Sequence, residues 1–416
     1  MTYAARRVST PPLSGGTVTQ DPREPEFFQN PYDFYDARHV EGPAFYWRDF
    51  GHWCFIGWDE VNALLRDRRF GRQILHVATR EEIGLPPPKP NLRDFDGVEK
   101  HSLLELEPPE HTKLRGLVNR AFVSRHVERL RPAVAKFANE LIDGFEGNRE
   151  VELIEAFAMP VPVTIIADML GVPRDMGRQL LDWSHAMVRM YMFAHGPEEE
   201  AGANRAAGEF RDYLKSLVAE RRRAPREDLI SHMISAEQDG GKLTEDELIS
   251  TTILLLNAGH EATVHTTGNA VKTILEFGHD AHTLFATPEA AAATVEEALR
   301  FDPPLHMFTR WSLSDIDLDG ITLKKGDEIG LMLGAANRDP RRFPSPQTFD
   351  PARENNANVS FGAGIHFCIG APLARIELQE ALKALFDRLP GIRLAAPPRY
   401  RDVYHFHGLE RLDLEW

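Results

Sequence analysis

Apolar positions along this chain recur mainly at intervals of three and four residues. From 109 to 256 that helical period dominates, and it breaks at GVP (171–173), HGPEEE (195–200) and RAPRED (223–228). The stretch LTEDELISTTILLLNAGHEATVHTTGNAVKTILEFG carries the strongest signal. Thr244 and Glu247 stand at capping-box spacing, and Gly278 suits a C-cap. A helix between them would be about 50 Å long at ~1.5 Å per residue. It is apolar on most faces, so it is expected to cross the core rather than lie on it.

Other segments follow different periods. AFYWRDFGHWCFIGW (44–58) is aromatic and β-branched around a turn, which predicts a β-hairpin, and DEVNALLRD after it predicts a helix. Residues 73–107, rich in Pro, Asp, Glu and Lys, are expected to form a long loop. RRRAPR (221–226) reads as a solvated turn. Beyond 310, alternation and Asp-Gly turns predict short strands, and ANRDPRRFPSPQTFDPAR predicts coil. A helix is expected from about Pro372, and the last 25 residues read as a final strand pair. Residues 1–25 are expected to be loose. No linker or repeat divides residues 26–416, so the expected fold class is mainly α with a small β portion, in one domain.

Composition narrows the function classes. The chain has 416 residues, 42% hydrophobic and 27% charged, enough to bury a large core around a cofactor. A net charge of -15 argues against nucleic acid and anionic membranes as partners. Two cysteines, Cys54 and Cys368, make neither a disulfide framework nor a four-thiolate zinc site. No run approaches the roughly 18 apolar residues of a membrane span. The expectation is a soluble, cytoplasmic protein.

FGAGIHFCIG (361–370) carries candidate chemistry. Gly362 and Gly364 let a backbone turn sharply and lie against a ligand. Cys368 precedes a helix whose first turn holds Pro372, and the free N–H groups there favour a thiolate. A thiolate on a glycine-rich loop is a good axial ligand for iron. A buried structural cysteine and a phosphate loop are the competing readings; Phe367 stands where a third glycine would complete GxGxxG. In AGHEATVH (258–265), Glu261 lies between His260 and His265. The histidines are five apart, about 140° around a helix, so they do not share a metal as His-Glu-x-x-His does.

FGAGIHFCIG resembles the haem-binding signature of the cytochromes P-450, the haem-thiolate monooxygenases, at every fixed position of Phe-Gly-x-Gly-x-His-x-Cys-x-Gly. EALR is similar to that family's Glu-x-x-Arg motif, here Glu297 and Arg300. EPPEHTKLRGLVNRAF resembles its haem-facing helix, and ANRDPRRFPSPQTFDPAR its meander. The resemblance spans about residue 30 to the C-terminus. It implies haem b ligated by Cys368, in a loop shaped by Phe361, Gly362, Gly364 and Gly370. It implies propionate contacts from His111, Arg115, Arg310 and His366, and a structural role for Glu297 and Arg300. Ala258 and Gly259 would leave room for dioxygen and substrate, and Glu261 would relay protons. His260 and His265 then need no chemistry.

One position departs from that pattern. Ala262 stands where most members carry a threonine whose hydroxyl orders water; Thr263 follows, about 100° further round the helix. A substrate hydroxyl, or water held by Glu261 and Thr263, would compensate, or the reaction would differ. Leu254, Asn257, Ala258, Leu305, His306 and Phe406 are implied to line the substrate pocket. Asn257 and His306 point to a medium-sized apolar molecule bearing a hydroxyl, carbonyl or carboxylate. The resemblance implies a monomer that takes electrons from an external ferredoxin, with Lys113, Arg120 and Arg375 as a candidate docking face. Oxidative coupling or peroxide-driven chemistry is one alternative outcome, and a haem sensor or carrier without turnover is the other.

Overall fold

The computed structural model describes residues 16–121, 127–192, 195–238 and 243–416. The central helix runs Glu245–Phe277. Thr244 Oγ1 accepts from the Glu247 N–H (3.2 Å), the Glu247 carboxylate accepts from the Thr244 N–H (2.7 Å), and Gly278 ends it at φ +67°. It is buried along nearly its whole length, against Pro160–Leu170, Pro288–Phe301 and Ala371–Arg388. One large apolar core joins these helices, and two smaller clusters lie under the sheet. Among the described residues no helix is long and apolar enough to cross a membrane.

The hairpin forms as expected: Ala44–Trp47 pairs antiparallel with His52–Phe55. It joins a six-stranded sheet in the order Thr17–Val18, Ala44–Trp47, His52–Phe55, Glu328–Leu331, Phe308–Ser312, Phe70–Gly71. Thr17 and Val18 thus pair within the stretch expected to be loose, while residues 1–15 lie outside the described residues. The strands beyond 310 include a separate antiparallel pair, Ile316–Leu318 with Ile321–Leu323.

Four local expectations change. The loop at 73–107 contains a helix, Arg93–Glu99, because Phe95 and Val98 find a buried face despite the polar composition. A strand, Glu150–Glu152, interrupts the helical region and pairs with Asp413–Glu415. The C-terminus forms two nested pairs rather than one: Arg393–Leu394 with Asp413–Glu415, and Arg399–Tyr400 with Leu409–Arg411. Arg221 is not solvated. It is 1% exposed, donates to Asp228 Oδ2 (2.5 Å) and to the Gly171 carbonyl (2.6 Å), and so ties the end of Pro197–Arg223 to the end of Pro160–Leu170.

Glu297 and Arg300 are both fully buried on Pro288–Phe301. Arg300 donates to both Glu297 oxygens (2.8 and 2.6 Å), and to the carbonyls of Asn337, Pro346 and Thr348 (3.1 Å each). Glu297 also accepts from the Asp350 N–H (2.8 Å). This network fixes the strand-free meander, which leads directly into the cysteine loop.

Candidate functional site

Cys368, Arg115, Arg310 and His366 line one cavity of about 1080 Å³, shared with Leu254, Ala258, Gly259, Glu261, Ala262 and Thr263. The segments that meet there are hundreds of residues apart in sequence. Phe361, Gly362 and Gly370 also border it.

The cysteine loop closes through its own backbone: the Cys368 N–H donates to the Phe361 carbonyl (2.9 Å). Gly364 sits at φ +72°, and a Cβ there would collide with the Leu65 carbonyl oxygen, so both conformation and space require glycine. Gly362 is also left-handed, at φ +67°. Ala371–Arg388 begins immediately after, with Pro372 in its first turn. Burial pushes the Cys368 thiol up. The N–H groups of Gly370 and Ala371 and the charges of Arg115 and Arg375 pull the other way without overcoming it. The helix end thus contributes toward a thiolate, and a bound metal ion deprotonates a coordinating thiol outright.

The cations expected to meet an anionic group are placed as follows. His111 does not itself line the cavity but lies against His366, the ring centres 4.5 Å apart; it is 2% exposed and neither ring nitrogen has a hydrogen-bond partner. Burial, with His366 and Arg115 nearby, lowers its pKa to about 4. Arg310 is buried, makes no ion pair among the described residues, and donates only to the Thr309 carbonyl (2.9 Å). Burial and the neighbouring Arg72 lower it to about 9. Arg115 donates to the Phe367 carbonyl. His366 lines the cavity; its Nε2 faces Glu107 Oε1 at 3.3 Å, which leaves Nδ1 for a second partner. Arg72, paired with Glu105 and bonded to the Thr309 carbonyl, lines the same cavity; no local pattern in the sequence singles it out. His111 lacks any partner and Arg310 has no carboxylate, and buried donors so placed are costly, so this end of the cavity fits a ligand carrying carboxylates.

Glu261 is buried on the central helix. Its Oε1 faces His265 Nε2 (3.2 Å) and Arg401 Nη1 (3.1 Å). Its Oε2 faces His185 Nε2 (3.5 Å) and His260 Nε2 (3.7 Å). Burial pushes its pKa up, but His265 above all, together with the charge of Arg401, outweighs that and holds it well below the usual carboxylate range. The two histidines expected to be incidental therefore flank the acid. They do so on opposite oxygens, as their angular separation requires. Sequence spacing shows His260 and His265; His185 and Arg401 arrive only through the fold. Gly259 packs closely against Pro160–Leu170: a Cβ there would stand 3.1 Å from Ile166 Cγ1. Thr266, one turn beyond Ala262, also lines the cavity and donates to the Ala262 carbonyl (2.8 Å).

Leu254, Asn257, Ala258, Leu305 and Phe406 all border the cavity, Leu305 and Phe406 joined by a β-bridge. His306 does not. It is fully buried against Tyr35, its Nδ1 2.7 Å from the Tyr35 hydroxyl. The candidate docking cations are engaged: Lys113 with Glu247 (3.3 Å) and Arg375 with Glu296 (2.5 Å), while the Arg120 side chain lies outside the described residues.

The cytochrome P450 family model matches residues 73–276 and 289–389. Polyketide biosynthesis cytochrome P450 PksS of Bacillus subtilis (strain 168) is 37% identical over 401 residues, 94% of this chain and 97% of that protein. Cytochrome P450 monooxygenase PikC of Streptomyces venezuelae is 34% identical over 425 residues, covering 100% of this chain and 97% of its own. The solved structure of P450BioI in complex with hexadec-9Z-enoic acid ligated acyl carrier protein aligns at TM-score 0.87 and 35% identity, over 94% of this chain and 100% of that one. With a free cysteine, arginines and a helix-borne acid around one cavity, the chain belongs to the cytochrome P450 family, the haem b monooxygenases.

Proposed function

We propose that this cytochrome P450 hydroxylates a small-to-medium, largely apolar organic molecule, working as a monomer with electrons from an external ferredoxin and its reductase. One observation carries the reading: Cys368, free of any disulfide, shares the cavity wall with the relay-type acid Glu261. When bound through Cys368, the haem supplies dioxygen reduction and carbon oxidation. The chain's own residues do the rest. His111, Arg115 and Arg310 hold the propionates, which gives their buried donors partners. Glu261 holds a negative charge at the cavity and passes protons inward from solvent, its charge maintained by His265 and Arg401. Thr263 and Thr266 offer the only hydroxyls of the 262–266 turn. Leu254, Ala258, Leu305 and Phe406 exclude water and orient the substrate.

The apolar wall and the acyl ligand of P450BioI support a substrate with a hydrocarbon body and a polar end. Arg72 at the cavity suits a carboxylate or carbonyl there. The test is a spectral screen of ferric protein against fatty acids, terpenes, steroids and aromatic acids, followed by turnover of each binder. Product formed with NADH, ferredoxin and reductase supports the proposal. Product formed only with added peroxide would replace it with peroxide-driven chemistry, the outcome that Ala262 keeps open. Replacement of Cys368 by serine should abolish the red-shifted Soret band of the reduced, carbon-monoxide-treated protein.

A further inference from the structure

The stretch with two histidines around an acid gains a third histidine in the fold. His185, near the end of Gly177–Val188, and His260 both approach Glu261 Oε2, at 3.5 and 3.7 Å. The three ligand atoms lie within 4.8 Å of one another. His260 Nδ1 is 2.8 Å from the Leu256 carbonyl oxygen. A carbonyl only accepts, so Nδ1 carries the proton and Nε2 of the neutral ring is a lone pair. That nitrogen belongs to a side chain 2% exposed and has no hydrogen-bond partner. A bare lone pair thus faces a buried carboxylate oxygen, and two acceptors so placed need a proton or a cation between them. A divalent cation placed between them would take up both lone pairs.

We propose that His185, His260 and Glu261 form a site for a divalent metal of the zinc class. Two imidazoles and a carboxylate are a ligand set that zinc accepts. A point equidistant from the three atoms would lie roughly 2.1–2.4 Å from each, close to zinc–nitrogen and zinc–oxygen bond lengths of about 2.0–2.2 Å. The His260–Leu256 bond supplies the outer support that fixes a ligating imidazole. His265 and Arg401 occupy the other carboxylate oxygen and leave Oε2 for the ion. The His185 side chain is 43% exposed, which opens the site to solvent. A bound ion would clamp Gly177–Val188 to the central helix and cap the acid. The second effect, slower proton delivery, rests on Glu261 acting as the relay; binding itself does not.

The experiment uses untagged, haem-loaded protein stripped of adventitious metal, dialysed against zinc chloride, with protein-bound zinc measured directly. One zinc per chain with micromolar affinity is expected, and His185→Ala should weaken it at least about tenfold. Glu261→Gln should do the same, with an unchanged carbon monoxide spectrum showing that both variants fold. Equal zinc in wild type and His185→Ala would put the ion elsewhere, for example at the buried Asp302, His306 and His407, and would overturn the proposal. So would no zinc at ~100 µM, a concentration far above the affinity of a built zinc site. Zinc is further expected to lower NADH-driven turnover of wild type but not of His185→Ala. Stoichiometric zinc with unaltered turnover would keep the metal site and remove Glu261 as the relay acid.

Discussion

Ala262 puts a methyl group where the resemblance leads one to expect a hydroxyl. The fold supplies a neighbour: Thr266 reaches the same cavity one turn later, but gives its proton to the Ala262 carbonyl (2.8 Å). A hydroxyl bonded back to the i−4 carbonyl keeps only its acceptor side free. Water held near Glu261 would therefore find an acceptor at Thr266 and no donor at 262. Ala262→Thr is expected to raise product per NADH severalfold and lower released hydrogen peroxide. Thr266→Val should do the reverse, by well under the ~10²-fold of a lost general acid. Product, NADH and peroxide measured together decide it. Unchanged peroxide in both variants would mean that the substrate's own hydroxyl orders the water.

At the scale of elements, legibility followed locality. The central helix was readable to its caps because both signals are short-range: Thr244 with Glu247, and a left-handed Gly278. Thr244→Ala is expected to cost about 1 kcal/mol, seen as a lower denaturant midpoint with unchanged slope. The helix Arg93–Glu99 was hidden because its two buried residues, Phe95 and Val98, are too few to set a period in an acidic stretch. Arg221 was hidden because its partner, Asp228, lies past a proline turn and its second acceptor is Gly171, fifty residues back. Glu297 and Arg300 show the same divide: the i,i+3 spacing was visible, but the three carbonyls that make the pair structural come from the meander. Glu297→Ala would leave a fully buried guanidinium without its carboxylate. The expected cost is about 3–5 kcal/mol, with weaker haem retention because the meander feeds the cysteine loop. Chemical denaturation and the haem content of purified protein measure both. A cost under ~1 kcal/mol would mean that the carbonyls alone hold Arg300.

For the whole molecule, the cavity brings together donors whose purpose no single segment shows. Cys368, Arg310 and Arg115 were legible through motif spacing, whereas Arg72, His185 and Arg401 converge on the same region by tertiary folding alone. The buried His111 gives the haem-free fold a definite pH dependence. His111 is held down to about 4 by burial and by the cations around it. In the unfolded chain it takes a proton near the ordinary histidine value of about 6.5. Acidification from neutral therefore favours the unfolded chain over the haem-free fold. Propionates beside His111 would raise its pKa again, so the haem-loaded fold would escape that loss until its carboxylates protonate. Haem is thus expected to raise the melting midpoint more in mildly acid than in alkaline buffer, over and above the ~4 kcal/mol that a ligand at 1,000 times its Kd contributes at any pH. His111→Gln should flatten the difference while leaving the Cys368-dependent Soret band in place. Paired melting curves of haem-free and haem-loaded protein across that range provide the check. A haem-induced shift that is the same at both ends in wild type would take His111 out of contact with the propionates, leaving Arg115 and Arg310 to hold them.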